Sequence, residues 1–212
     1  MVSTLEALRA QASALFRAGQ FAEAERISGD VLMALGRYRE ALARYEAALA
    51  REPQLATALY SSAAALRALG RFEEALTRAR AALARQPTAE AYFQQGAALR
   101  DLGRFAEAVA SFDQAIALKP NYVEAHTSRG IALGQLQRNT EALASFERAI
   151  ALRPAAAELH NNLGNMLRRL RRLPEALASF ERAIALQPGL AMAYNNRGLV
   201  LQALRRYEEA AA

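Results

Sequence analysis

The stretch from Ala89 to Tyr122, AEAYFQQGAALRDLGRFAEAVASFDQAIALKPNY, reads as two helices joined by a tight turn and closed by a proline. Apolar residues recur at three- and four-residue steps near 89–102 and again near 105–118, the spacing of a helix with one buried face. Gly103-Arg104 supplies the turn between them. Pro120 has no N–H and biases Lys119 away from helical geometry, so the second helix must end just before it. Glu107 falls in the first turn of that helix, where the helix dipole favours an anion.

Working outward, the same text returns along the chain. Pro53, Pro87, Pro120, Pro154 and Pro188 are separated by 34, 33, 34 and 34 residues. A fixed step of this size marks a stacked repeat protein, in which one small unit is copied along an axis. The first-turn glutamate recurs as Glu40, Glu74, Glu141, Glu175 and Glu209. Gly29, Gly96, Gly130, Gly164 and Gly198 share one phase of the first helix, with Ala63 in the remaining unit. Ala41, Ala75, Ala108, Ala142, Ala176 and Ala210 share one phase of the second, and Tyr45, Phe112, Phe146 and Phe180 another. A glycine inside a helix costs about 1 kcal/mol relative to alanine, so its return in five units calls for close helix packing. The expectation is Gly29 against Ala41, with 22–34 and the helix before Pro53 antiparallel.

Together these residues resemble the tetratricopeptide repeat: a large residue, Leu-Gly, a second large residue, Ala, an aromatic, Ala and Pro at set offsets. In the unit from 157 the matching residues are His160, Leu163-Gly164, Leu167, Ala176, Phe180, Ala183 and Pro188. The resemblance runs from about residue 22 to the end of the sequence. It implies an all-α fold, a right-handed solenoid of antiparallel helix pairs, with units 22–55, 56–88, 89–122, 123–156, 157–190 and a truncated 191–212 in a single array over 1–212. Two departures stand out. The first large slot holds Leu59, Tyr92, His126, His160 and Tyr194 instead of tryptophan, and the turn glycine of Gly36, Gly70 and Gly103 becomes Gln137, Arg171 and Arg205.

Both ends are irregular. The turn text at Gly19 returns at Gly36, after only half a unit, so 22–34 must serve as a first helix and 3–18 as a helix capping it. Between Tyr207 and Ala212 little sequence remains to cover the helix expected at 191–204, which points to a fragment or a longer array and to self-association through that end.

Composition narrows the function. The chain of 212 residues is 53% hydrophobic but only 7% aromatic, so its apolar content is largely Ala and Leu, both strong helix formers. It has no cysteine, hence no disulfide and no thiolate. The first residues carry Glu6 and Gln11 and no continuous apolar core, unlike a signal peptide, and no apolar run would span a membrane. A cytoplasmic, bacterial protein is the default expectation. The net charge of +6 invites nucleic acid, but Lys119 is the sole lysine and the 21 acids are interleaved with the arginines. That pattern fits the codon bias of a GC-rich genome.

Chemistry-bearing residues are few. His126 and His160 occupy one slot of adjacent units and read as packing residues instead of metal ligands, because no acid or thiol accompanies them. No phosphate loop and no nucleophile with a base at motif spacing occurs, so no catalytic residue, metal or cofactor is expected. In the tetratricopeptide family the first helix of each unit lines a groove. That resemblance assigns groove positions to Glu158, Asn161, Asn162, Asn165, Arg168 and Arg169 here, and to Asn195 and Asn196 in the following unit. Preceding units offer Glu124, Thr127, Ser128 and Ile131, then Tyr60, Ser61, Arg67, Glu90, Phe93, Gln94, Arg100 and Asp101. Asparagine amides both donate and accept, which suits the backbone of an extended peptide; the alternative is that these side chains are merely solvated. Arg168 to Arg172 also complement the dipole at a helix end.

The expected function is a protein–protein interaction scaffold that holds an extended peptide or a partner helix. The later units also resemble the repeat arrays preceding O-linked N-acetylglucosamine transferase-like glycosyltransferases, where groove asparagines are associated with substrate peptides. Asn162 and Asn196 match that ladder; Ser61, Gln94 and Ser128 do not. A helical-repeat RNA binder is a third reading.

Overall fold

The computed structural model describes residues 2–206 and 208, with 2 and 3 by backbone alone. The described residues form twelve helices and no strand. Contacts cluster in two compact units, Met1–Leu118 and Lys119–Ala212. The first unit holds α1 (Val2–Arg17), α2 (Phe21–Ala34), α3 (Tyr38–Arg51), α4 (Ala56–Ala68), α5 (Phe72–Arg85), α6 (Ala89–Asp101) and α7 (Phe105–Leu118). The second holds α8 (Val123–Gln135), α9 (Asn139–Leu152), α10 (Ala157–Arg169), α11 (Leu173–Leu186) and α12 (Ala191–Ala203). Within them α2 pairs with α3, α4 with α5, α6 with α7, α8 with α9 and α10 with α11. The expected break between 22–34 and the helix before Pro53 is present, and α1 packs on α2.

The glycine phase has a physical cause different in one respect from the expectation. A Cβ built on Gly29 would come closest to the ring of Tyr45, at 2.5 Å, and not to Ala41. The same holds for Gly96 against Phe112 at 2.8 Å, Gly130 against Phe146 at 2.9 Å and Gly164 against Phe180 at 2.7 Å. Sub-3 Å contacts of this kind cannot be occupied, so the first helix gives up its side chain to seat the ring of the second. The alanine phase is fully buried beside it: Ala41, Ala75, Ala108, Ala142 and Ala176 are all 0% exposed.

The turns inside each pair share one hydrogen-bond pattern. Arg104 N–H donates to Leu99 O at 2.8 Å, and Arg138 and Arg172 N–H donate to Leu133 O and Leu167 O at 3.0 Å. This is the bond that closes a helix whose next residue is left-handed. Gly36, Gly70 and Gly103 take that position with φ of 72° to 75°. Gln137, Arg171 and Arg205 take it with φ of 59° to 61°, so the backbone is retained although the glycine is lost.

Each second helix then starts with the same clamp. Arg104 Nε and Nη2 donate to the two oxygens of Glu107 at 2.7 Å, and the fork recurs as Arg37–Glu40, Arg71–Glu74, Arg138–Glu141 and Arg172–Glu175. The guanidinium holds each of these carboxylates below its ordinary range. No side chain accepts a hydrogen bond from the first N–H groups of α3, α5, α9 or α11; the first-turn glutamate of each faces the helix dipole instead. The pairs are exposed, so water and salt screen them and they add little to stability.

At the other end, α12 exposes Met192, Tyr194 and Leu199. How much of this helix Tyr207 to Ala212 cover, and the fate of Glu209, lie outside the described residues apart from Glu208.

Candidate functional site

The first helices of the second unit, α8, α10 and α12, carry most of the groove residues expected from sequence. A side chain at every third or fourth position of a helix falls on one face, so Glu158, Asn161, Asn162, Asn165, Arg168 and Arg169 form a stripe along α10. A cleft of about 180 Å³ opens beside it, lined by Asn162, Asn165, Arg168 and Arg169 together with Ile131 and Gln135 of α8. Its base is close-packed: a Cβ on Gly134 would lie 2.8 Å from the end of Met166. Arg169 reaches across to donate from Nη1 to Gly134 O at 2.8 Å, which pins α10 to α8. The Nε of Arg168 is buried without a hydrogen-bond partner.

The asparagines separate into two roles. Asn162 and Asn165 are half-buried and border the cleft. Asn161 is only 5% exposed and accepts a 3.0 Å hydrogen bond from Asn196 Nδ2 of α12. That pair joins successive first helices and satisfies a buried amide oxygen, which would otherwise cost about 1–3 kcal/mol. Asn195 is exposed. Ser128 is buried and Glu158 exposed, while Glu124 is exposed and paired with Arg153 at 2.9 Å.

In the first unit, four of the expected residues, Arg67, Gln94, Arg100 and Asp101, form a polar lattice between α4 and α6. Arg67 donates from Nε to Asp101 at 2.8 Å and from Nη1 to Gln94 at 3.3 Å, and Arg100 pairs with the same Asp101. Gln94 and Arg100 are therefore engaged with neighbours, and the lattice ties successive first helices together as the Asn161–Asn196 pair does.

Sequence reasoning passed over the same stripe in α2. Shifted by one unit at a time, the phases of Asn161, Asn165 and Glu158 fall on Arg26, Asp30 and Glu23. Arg26 lies between Glu23 and Asp30 and pairs with both, and Tyr45 Oη donates to Asp30 at 2.8 Å. Burial pushes the Asp30 carboxyl up, against the hydrogen bond from Tyr45. The signal was available once 22–34 was read as a first helix.

The histidines are structural. His126 Nε2 lies 3.0 Å from Pro120 O and His160 Nε2 lies 2.9 Å from Pro154 O, each bridging to the loop before its own helix. Among the described residues no group of three acidic, histidine or cysteine side chains is placed to hold a metal, and no helix is long and apolar enough to cross a membrane.

Comparison with known proteins bears on this geometry. The tetratricopeptide repeat family's sequence model matches residues 28–77 and 127–191, and a second, described as TPR repeat, matches 96–137. The chain is similar to TTC0263, a thermophilic TPR protein of Thermus thermophilus, at 28% identity and TM-score 0.71 over 85% of this chain and 99% of that one. YrrB, a TPR protein with an unusual peptide-binding site, matches at 23% identity and TM-score 0.65 over 86% of this chain and 95% of its own. A chain of the APC/C hetero-tetramer Cut9-Hcn1 matches at 19% identity and TM-score 0.85, over 98% of this chain and 41% of that one. At these identities the last two likenesses concern the fold alone. No curated protein matches by sequence. The first family match by itself spans more than half of the sequence, in both units, on the residues that build the glycine–aromatic crossings: this chain belongs to the tetratricopeptide repeat family.

Proposed function

We propose that this chain is a protein–protein interaction scaffold, and that the cleft between α8 and α10 receives an extended peptide. The observation that carries the reading is the pairing of half-buried Asn162 and Asn165 with a buried, unpartnered Arg168 Nε around one cleft. Asparagine amides can donate to and accept from a peptide backbone, and a leftover guanidinium donor is satisfied when an acceptor enters. Peptide-backbone contact gives affinity with modest sequence demand, while the arginines bias the groove towards peptides with an acidic or carboxylate group.

The test is a peptide-array screen followed by fluorescence polarisation. Asn162→Ala/Asn165→Ala weakens a groove binder at least about ten-fold, the equivalent of roughly 1.4 kcal/mol for two amide contacts. Binding unchanged by that pair and abolished at high salt overturns the reading in favour of an arginine-rich surface, since screening weakens exposed charge contacts most. Asn196→Ala is not a clean probe, because it strips the partner from buried Asn161.

A further inference from the structure

A second cleft, of about 740 Å³, lies in the first unit among α1, α2 and α3. It has a topological origin. The chain makes two successive tight turns, at Gly19 and Gly36, so α1 and α3 both flank α2, and the space over α2 stays open. The walls are apolar, with Phe16 60% and Leu35 42% exposed and Val31 and Leu32 beneath them. Single exposed apolar side chains need no explanation, but several converging on one cleft mark an interaction surface.

The rim is basic. Arg9 and Arg17 project from α1 on one side and Arg37 and Arg44 from α3 and its entry turn on the other. Arg37 is held by Glu40, and Arg44 by Glu25 at 3.0 Å. Arg9 has no acidic partner among the described residues, and Arg17 turns its Nε to its own backbone at Ser13 O. The α1 rim therefore presents two uncompensated positive charges beside an apolar floor.

We infer that this cleft docks an amphipathic helix of a partner protein whose apolar stripe is flanked by acidic residues. Three features select that occupant. Cleft-lining positions on α2 and its end run from Ala24 to Leu35, about 16 Å of helix rise, which matches two to three turns of a docked helix. The apolar floor between charged rims fits a stripe of residues at i, i+3, i+4 and i+7. The charge is complementary to acids, and a second copy of this chain, itself carrying +6, is electrostatically disfavoured.

The experiment uses the full chain and a fluorescein-labelled stapled helix of about 12 residues, with leucines on one stripe and glutamates on both flanks. A lysine-flanked copy and a proline-interrupted copy serve as controls. The acidic helix is expected to bind, to shift backbone amide resonances within residues 5–44 and to weaken at least about ten-fold with Arg9→Glu/Arg17→Glu. Asn162→Ala/Asn165→Ala should leave this binding unchanged, which separates the cleft from the peptide groove. Both substituted arginines are exposed, and circular dichroism checks that the helices persist. Equal binding of the lysine-flanked copy, or resonance shifts outside 5–44, overturns the proposal. So does displacement of the helix by dodecanoate at equal concentration, which makes the site one for an anionic acyl chain. A dimer lost on Leu35→Glu also overturns it, in favour of a second copy.

Discussion

In the repeat at 56–88 the two slots of the helix crossing hold Ala63 and Ala79, both 0% exposed, whereas the repeat at 157–190 holds Gly164 and Phe180. A Cβ at position 164 would stand 2.7 Å from the Phe180 ring. The three other pairs, Gly29–Tyr45, Gly96–Phe112 and Gly130–Phe146, follow the second pattern. The glycine is therefore half of a two-residue device: where the ring is absent, the first helix recovers its alanine and the better propensity that goes with it. The two slots are coupled, because a ring in one requires a missing Cβ in the other. Ala63 and Ala79 together carry far less side chain than Gly164 and Phe180, so in the repeat at 56–88 neighbouring side chains fill the remainder.

The comparison breaks most visibly if the ring is removed. Phe180→Ala empties a fully buried aromatic site and should cost about 3–5 kcal/mol in chemical denaturation. A loss below about 1 kcal/mol would mean that Phe180 is not what fixes the crossing.

A sharper test adds the ring where it is missing. Ala79→Phe alone should destabilise by about 1–3 kcal/mol, because the Cβ of Ala63 stands in the place that the other repeats clear. Combining it with Ala63→Gly should recover part of that loss in spite of the glycine's helix cost, giving a favourable coupling in a double-mutant cycle. Additive losses would contradict the coupling of the two slots.

The smallest effect concerns the turns, where the two compact units also differ. The first uses glycine at Gly36, Gly70 and Gly103, and the second places Gln137, Arg171 and Arg205 in the same left-handed geometry. Gly103→Arg should cost about 1 kcal/mol, and Arg171→Gly should gain less than that, because the freer unfolded chain offsets part of the relief. Thermal melts of the two variants should move in opposite directions; a shift in the same direction would break the equivalence of the turns.

Most of the fold was legible because its causes are local. The proline step, the first-turn glutamates and the three- and four-residue apolar spacing each depend on neighbours within one helix or turn, and backbone sterics act at that range. The half-unit step from Gly19 to Gly36 likewise located the break between α2 and α3. What repeated text could not say is which atoms meet. Gly29 was expected against Ala41, but the atoms nearest its missing Cβ belong to the ring of Tyr45, four residues further along the second helix, since side-chain direction decides the contact.

The groove divides along the same line. That Asn161 and Asn162 lie on a first helix follows from register alone. That Asn161 is buried under Asn196 while Asn162 and Asn165 border an open cleft was decided by the approach of α10 to α12 and of α10 to α8. The basic cleft of the first unit was also beyond the sequence. Arg9, Phe16 and Arg17 share one face of α1 at i, i+7 and i+8, but only the placement of α1 and α3 on the two sides of α2 brings that face together with Leu35 into one cleft. By itself the sequence determined the unit, its helices and its turns, because these are settled by interactions among residues a few positions apart. The tertiary structure decided which side chains are free to bind, because burial depends on the neighbouring helix that each one meets.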